Sequence, residues 1–499
     1  MTPAAGCEAA RRTIAGSNIA DVPERTFPGR SVGCRGTVRK NDNASRRLCG
    51  IPAAGEISEA YNDTYSCGIA ARVEKERTKH MLAKATPTGK TCFGNKELYS
   101  QIQQDAVMLI ESLGVKVSPS TAQKLLGAMP SDEAARITYS EDLGRIYITQ
   151  DVIEDCLDRV HQGMDYWPTG FGTGGMAAYI VNGQGPRAPE PEDMNRLARI
   201  FGETDLLTNL QSSFNICNRV KRNDVARRAA IECEAVDNMV ATCNGKLIMP
   251  TLLSEAAYDS LKRHYDNGQK VGAALSIIST YMTISDEMAD PFLWTVTRGL
   301  PYIMNSMPIG GLTGPYSMSS LATLAQAEAV FGLVLGQLIH PGIKCINSAM
   351  PTIADMSSKD MPMMFGSISN TMLNILLAEL NIDLGIPCSQ SACSHQGDTL
   401  DEAALKRCAE IYSLVSHYDY HILRHMFGFS AQLNDFSIEN MERQVAMYRD
   451  IMGNPVPVEL PEPAEYDPEG MEAIFEGFDR GDFRALNHTL KHIGQSFTC

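Results

Sequence analysis

The chain has 499 residues, of which 44% are hydrophobic and 21% are charged, which is the composition of a folded globular protein. Its formal net charge of −15 argues against a nucleic-acid binder, because phosphate contacts require a basic surface. Apolar stretches such as 329–339 fall short of the roughly 20 residues that span a bilayer, and no apolar signal-peptide segment follows Arg11 and Arg12. We therefore expect a cytoplasmic protein, without a membrane span, whose 14 cysteines are mostly reduced thiols.

The first part of the chain predicts two regions of different character. Residues 1–92 lean basic and show little apolar periodicity, so we interpret them as a weakly ordered extension. They could equally be a translated stretch upstream of the true start, with Met81 as the initiator. Residues 93–165 predict a small α+β cap, whose elements are helices at 97–113, 121–129 and 153–160 and a hairpin at 136–139 and 145–148.

Residues 166–499 alternate short apolar runs with helix-length segments, which predicts parallel strands joined by crossover helices. Eight such units match the size of a (β/α)8 TIM-type barrel, and an open doubly wound sheet is the alternative. The predicted strands are 177–181, 207–214, 246–252, 271–280, 302–308, 344–348, 386–392 and 421–426. Chemistry in such a barrel is expected just after the carboxyl ends of the strands.

Two glycine-rich segments lie near predicted strands. The segment 308–315 follows the fifth strand, and its glycines would let backbone approach a ligand closely, although a turn chosen for shape alone explains it too. The segment 171–175 stands before the first predicted strand. Neither has the sequence context of a phosphate loop or a dinucleotide fingerprint.

The loop after the seventh predicted strand carries a dense cluster of reactive side chains. Cys388, Cys393 and His395 could in principle bind zinc. Strand alternation, however, puts Cys388 on the opposite face from Cys393, which disfavours such a site. His395 could instead be a core or capping histidine. After the eighth strand, His425 and Phe429 offer an imidazole and an aromatic face.

Taken together and in order, several motifs resemble the trimethylamine:corrinoid methyltransferase family. The resemblance covers roughly residues 97–495, and its motifs are 171–175 with Tyr179, 308–315, 327–328 with 332–338 and 341–342, 385–387 and 488–492. It implies a barrel that moves a methyl group from a methylated amine to the Co(I) centre of a separate corrinoid protein. The resemblance implies two partners, the corrinoid-binding protein and the methylated amine. The chain itself is expected to bind no metal and to form a homo-oligomer.

The resemblance also implies site residues. A cationic ammonium group suits an aromatic pocket, so Phe171, Tyr316 and Phe429 are the first aromatic candidates. The full set of candidate substrate-binding residues is Phe171, Thr173, Gly310, Gly311, Thr313, Gly314, Tyr316, His425 and Phe429.

Two departures from the family pattern bear on the substrate. Trimethylamine-specific members carry pyrrolysine at about 393–396, whereas this chain has only standard residues there. It therefore resembles the non-pyrrolysine homologues, which act on quaternary amines such as glycine betaine, and His395 and Gln396 become the candidate catalytic residues that contact and orient the substrate. The chain also stops soon after His492, so a docking surface for the partner is expected to be missing or the reading truncated.

Two other interpretations remain open at this point. One is a zinc-assisted barrel methyltransferase that uses Cys393 and His395. The other is a catalytically silent protein that binds betaine-like ligands.

Overall fold

The computed structural model describes residues 91–182, 185–217, 219–221, 223–392, 395, 397, 399–459 and 464–493. The predicted N-terminal extension therefore lies outside the described residues, apart from its last two positions.

In the described part of the chain, eight short parallel strands are each followed by a helix. The strands are β1 (Gly170–Gly172), β2 (Leu207–Gln211), β3 (Leu247–Met249), β4 (Ala273–Leu275), β5 (Tyr302–Ser306), β6 (Cys345–Ala349), β7 (Ser389–Ser391) and β8 (Ile422–Arg424). The helices are α1 (Pro191–Glu203), α2 (Val225–Thr242), α3 (Glu255–Asp266), α4 (Asp286–Thr297), α5 (Met318–Ile339), α6 (Ile368–Asp383), α7 (Glu402–His417) and α8 (Ile438–Gly453). The α/β class predicted from the sequence is confirmed.

The strands pair in two parallel sheets. One has the order β7-β8-β1-β2-β3 and the other has the order β6-β5-β4. Single parallel bridges connect their edges, between Ile248 and Val271 on one side and between Asn347 and Cys388 on the other.

The first strand is not where the sequence predicted it. The segment 177–181 contains part of Tyr179–Asn182, a strand of a separate small sheet, whereas the first parallel strand is Gly170–Gly172. The glycine segment 171–175 therefore starts inside β1 and continues past its carboxyl end. The prediction failed because two of the three residues of β1 are glycines, which have low strand propensity.

The side chains of the strands alternate between the helices and a central cluster. The hydroxyl of Tyr302 in β5 donates to the carbonyl of Gly332 in α5 at 3.0 Å, so the next residue, Ile303, faces away from the helices. It belongs to a separate buried cluster that comprises Trp167, Leu247, Met249, Ala274, Ile303, Ile346 and Ile422. We call the face that carries this cluster the inner face of the strands.

Helix α5 is the central helix of the packing. All 22 of its residues are buried. It is long and apolar enough to cross a membrane by length and composition, yet its apolar window is wholly buried inside the protein, as in a core helix. The apolar stretch 329–339 is the second half of this helix.

The cap has the predicted elements at slightly different bounds. Its helices are Lys96–Met108, Pro119–Ala128 and Gln150–His161, a π-helical turn extends the first over Leu109–Leu113, and its hairpin is Ile137–Ser140 with Arg145–Ile148. A second hairpin, Ile278–Ser279 with Thr283–Ile284, comes from the segment after β4. The strand Val115–Lys116 lies between the two hairpins and joins them into one five-stranded sheet. The cap is therefore built from two separate parts of the sequence.

The beginning of the described chain is held by one buried carboxylate. The backbone N–H groups of Cys92, Phe93 and Gly94 all donate to Glu379 in α6, at 3.0 Å for Phe93 and 3.4 Å for Gly94. The hydroxyl of Tyr99 donates to the same carboxylate at 2.5 Å. A domain boundary between residues 92 and 93 would cut through this contact.

Loops after four of the strands form two further small sheets. One joins Tyr179–Asn182 and Gly185–Arg187 with Phe429–Ser430 and Asp435–Phe436, from the loops after β1 and β8. The other pairs Ile309–Gly310 with Thr352–Ile353, from the loops after β5 and β6. Because carboxyl ends of parallel strands share one edge, both small sheets lie at the same end of the strands.

Candidate functional site

A buried arginine occupies the inner face at the carboxyl end of β8. Arg424 stands two residues after Ile422 and is 1% exposed. Its guanidinium donates to the side-chain oxygens of Gln211 at 2.7 Å and Asn305 at 2.9 Å, and to the hydroxyl of Ser348. These partners come from β2, β5 and β6, so one side chain connects four strands of both sheets.

The charge of Arg424 has no counter-ion among the described residues. Its described hydrogen-bond acceptors are neutral, its Nε has no partner there, and no described carboxylate pairs with it. Burial lowers the pKa of the guanidinium to about 9, which leaves it protonated at neutral pH. An unpaired buried cation is costly, and an anionic ligand would compensate it.

His425 is the next residue and lies against the same site. Its backbone φ is +65°, a left-handed conformation that is uncommon for a residue other than glycine and is often associated with functional sites. Its Nδ1 lies 2.9 Å from the hydroxyl of Ser391 in β7, and its Nε2 has no partner among the described residues. Burial and the neighbouring Arg424 lower its pKa well below 6.5, so the imidazole is neutral at pH 7.

The glycine segment after β1 packs against these two side chains. Gly174 has φ +89°, and a Cβ there would stand 2.9 Å from Nε2 of His425 and 3.2 Å from Cδ of Arg424. At Gly172 a Cβ would stand 3.1 Å from Cγ of Arg424. The segment therefore requires glycine so that backbone can approach the arginine and the histidine closely.

Two amides extend the polar surface around Arg424. Asn209 is fully buried with both side-chain polar atoms unpartnered among the described residues, and Nε2 of Gln211 is unpartnered as well. The hydroxyl of Thr173 donates to the carbonyl of Gln211 at 3.1 Å and accepts from its N–H at 2.9 Å. Donors and acceptors left open beside a buried cation are typical of a site that a polar ligand completes.

The predicted substrate-binding residues fall into two groups in the structure. Thr173, His425 and Phe429 belong to the first group, in which the rings of His425 and Phe429 meet edge to face at 5.3 Å. The other group is the glycine loop after β5, which comprises Gly310, Gly311, Thr313, Gly314 and Tyr316.

The glycine loop is closed on itself by local contacts. The hydroxyl of Thr313 accepts from the N–H of Ile309 at 2.9 Å, and the hydroxyl of Tyr316 donates to the carbonyl of Ala354 at 2.9 Å. Gly311 has φ +84°, and a Cβ there would stand 2.6 Å from the sulfur of Met356. Close packing accounts for the glycine at this position without a ligand.

Phe171 lies apart from both groups. Its ring contacts Phe427 at 5.4 Å, Tyr448 of α8 at 4.8 Å and Tyr420 at 5.4 Å, in an aromatic cluster on the helix side of β1. Phe171 therefore packs in the core, and none of its described ring contacts is with a residue of the inner face.

The candidate catalytic residues are only partly described. Gln396 and Cys393 lie outside the described residues. His395 is buried, and its Nδ1 lies 3.5 Å from Nε2 of Gln444 in α8, whose amide also lies 3.6 Å from the sulfur of Cys408 in α7. The described contacts of His395 are therefore with the helix layer, whereas His425 is the histidine beside Arg424.

Arg424 and its neighbours on the inner face were not among the predicted site residues. The available signal was an arginine that follows Ile422 and Leu423 in a predicted buried strand, where an unpaired arginine is rare. Gln211, Asn209 and Asn305 could have been found in the same way, from the polar members of alternating strand positions.

Concavities of the described part of the chain lie away from the Arg424 site. One, of about 460 Å³, is lined by cap helices and by Leu384 and Ile386, which precede β7, so it lies toward the amino ends of the strands. The other, of about 30 Å³, lies between α2 and the segments that follow β2 and β3. Active sites of parallel α/β proteins gather at the carboxyl ends, which favours the Arg424 site over the larger cleft.

Comparison with known proteins gives a family. The family model for trimethylamine methyltransferase (MTTB) matches residues 267–498, which contain β4 to β8. No curated protein matches the chain. The crystal structure of dihydropyrimidinase from Brevibacillus agri NCHU1002 is similar at 10% identity over 52% of this chain and 46% of that chain, with a TM-score of 0.17 that carries no argument. The alignment spans less than half of the dihydropyrimidinase. Over residues 267–498, the chain is similar to the trimethylamine methyltransferase family.

Proposed function

We propose that the protein transfers a methyl group from a quaternary amine that carries a carboxylate, such as glycine betaine, to the Co(I) centre of a separate corrinoid protein. The family match over residues 267–498 supports methyl transfer. The observation that carries the substrate class is Arg424, a buried guanidinium without a described counter-ion at the carboxyl ends of the strands.

The charge of Arg424 discriminates between substrates. A carboxylate in reach of its free Nε would form charge-assisted hydrogen bonds and neutralise the buried cation. Protonated trimethylamine is a cation without an anionic group, so the same field would repel it. The electrostatics therefore favour a zwitterion over trimethylamine, on grounds that are independent of the missing pyrrolysine.

The neutral imidazole of His425 suits methyl transfer from a quaternary amine. When the C–N bond breaks, its electron pair stays on nitrogen and the methyl group passes to Co(I), so a neutral tertiary amine leaves without taking a proton. No general acid is required for this step. In this proposal His425, held by Ser391 and the backbone of Gly174, orients the substrate and does not protonate it.

The proposal also includes a closed barrel, a corrinoid partner and a cytoplasmic location. The eight strands are inferred to close into a (β/α)8 barrel, because the two single bridges connect the free edges of both sheets and the strand order then runs from β1 through β8 back to β1. The corrinoid protein would meet the carboxyl end of this barrel. Free thiols at the eight described cysteines agree with a cytoplasmic location, and a homo-oligomer stays a prediction.

Methylation of Co(I) cobalamin, followed spectroscopically, tests the proposal with a matched set of donors. Glycine betaine and choline share the trimethylammonium group, but only the betaine has a carboxylate, and trimethylamine has neither a fourth substituent nor an anion. We expect turnover with glycine betaine or another betaine, much less with choline, and least with trimethylamine. Equal use of choline and betaine would remove the role of Arg424, and efficient use of trimethylamine would overturn the substrate class.

A further inference from the structure

Asp467 and His488 form a buried pair at the beginning of α5. Nε2 of His488 lies 2.7 Å from Oδ2 of Asp467, and the side chains are 5% and 11% exposed. The same oxygen accepts from the hydroxyls of Ser317 at 2.5 Å and Ser320 at 3.0 Å. The carboxylate thus links the C-terminal part of the chain to side chains at the start of α5. We call these contacts the cap of α5, although Asp467 accepts from hydroxyl groups and from no backbone N–H of the helix.

His492 adds a third ligand that the cap does not require. It lies one helical turn after His488, in Asn487–His492, and the two rings are 4.3 Å apart. Its Nδ1 lies 2.8 Å from the carbonyl of His488 and must donate, because a carbonyl only accepts. That tautomer leaves the lone pair on Nε2, which is the form and the backbone contact commonly seen in metal-binding histidines.

The three side chains converge on one point. One ligand atom from each of Asp467, His488 and His492 lies within 4.8 Å of the other two. Two imidazoles and a carboxylate are a common ligand set for Zn²⁺.

We propose that Asp467, His488 and His492 bind a divalent transition-metal ion of the Zn²⁺ type. The metal would replace the proton that Asp467 and His488 share. With bonds of about 2.0–2.2 Å, tetrahedral ligands lie roughly 3.3 Å apart, so this pair must open by about half an ångström. This inference departs from the expectation that the chain binds no metal, and it involves none of the residues of the Arg424 site.

The position of the site gives the metal a structural role. Ser317, which contacts Asp467, directly follows Tyr316, the last predicted substrate-binding residue of the glycine loop. A metal there would fasten the C-terminal helix Asn487–His492 to the start of α5, next to that loop. It would stabilise the protein without taking part in methyl transfer.

The test uses the full chain, Zn²⁺ and Co²⁺, and a readout that does not depend on activity. We expect about one equivalent of metal per chain, a visible Co²⁺ spectrum of tetrahedral type, and a higher Tm with Zn²⁺ than with a chelator. His492→Ala should weaken binding on the order of 100-fold, since even indirect ligand support contributes 10–100-fold. Lys491→Ala, in the same helix turn and exposed, is the matched control and should bind normally.

His492→Ala keeps the pair of Asp467 and His488, so without metal it should have the Tm of the wild type. If the variant unfolds, Asp467→Asn measured against Lys491→Ala gives the same comparison. Absence of stoichiometric binding by the wild type, or undiminished binding by His492→Ala, would show that the cluster is only the cap of α5.

Discussion

Replacing Arg424 with methionine tests the candidate site most directly, because it removes the cation and keeps a similar volume. Truncating one partner of a buried, hydrogen-bonded charge pair typically costs about 2–5 kcal/mol of binding, which corresponds to roughly 30-fold to several thousand-fold in affinity. We expect a loss of that order in kcat/KM for glycine betaine. Choline, which lacks the carboxylate, should show little further loss in the variant.

The same substitution should change the stability of the protein little. Burial lowers the pKa of Arg424 from 12.5 to about 9, which corresponds to a desolvation cost of about 5 kcal/mol at about 1.4 kcal/mol per tenfold change in the acidity constant. The variant recovers that energy, but it leaves the oxygens of Gln211 and Asn305 unpartnered, at about 1–3 kcal/mol each. The two effects nearly cancel, so we expect a Tm within a few degrees of the wild type.

The assays are Co(I) methylation with both donors and thermal unfolding at pH 7.5, with Arg407→Met as the control. Arg407 is a surface arginine of α7 paired with Glu410, and its loss should change neither measurement appreciably. Unchanged betaine kinetics in Arg424→Met would refute the anion site. A large fall in Tm would show instead that the guanidinium is a structural anchor of the four strands.

Three further predictions follow from particular side chains. Burial raises the pKa of Glu328 to about 7, so the folded state loses stability as the pH rises from 4.5 to 7. Glu328→Gln should therefore raise the free energy of unfolding by about 3 kcal/mol at pH 8 and hardly at pH 4.5, as measured by thermal unfolding at both pH values. Because the pKa of His425 is lowered, its contribution to stability is retained above about pH 6.5 and lost below it, as the unfolded state binds the proton. His425→Asn should therefore reduce the fall of Tm with decreasing pH below about 6.5. The same fall of Tm in the variant and the wild type would contradict the buried neutral imidazole. Gly311→Ala should cost roughly 1–3 kcal/mol in denaturant unfolding because of its positive φ, whereas Gly127→Ala, in an open helix position, should be neutral or stabilising.

The alternation of strands and helices could be predicted because apolar runs and helical periodicity are local properties. Seven of the eight parallel strands overlap the predicted runs. The first strand was missed because the glycines of β1 are required by close neighbours, Thr208 at Gly170 and Arg424 at Gly172, a tertiary reason that local propensity does not contain.

The candidate site was harder to predict than the fold. His425 and Thr173 were singled out, and the structure brings both to Arg424 through the N–H of His425, which donates to the carbonyl of Thr173 at 3.0 Å. Phe171 was selected for its aromatic ring. The face of the strand on which this ring lies depends on the strand register, and an error of one residue in the register moves a side chain to the opposite face. His395 was selected from a family position; its described hydrogen-bond distance is to Gln444 in α8, and its catalytic role stays a prediction.

The features that make the Arg424 site unfavourable for folding are the strongest argument that it is functional. A guanidinium without a counter-ion among the described residues, a histidine at φ +65° and amides of Asn209 and Gln211 with no described partner all destabilise the folded state, and they occur together at the carboxyl ends of β2 and β8. Independent packing defects would be scattered through the core. The family match begins at residue 267, so it includes Arg424 but neither amide. The convergence on one point is therefore an observation that the family match does not supply, and a bound anion with a polar group accounts for all of its parts at once.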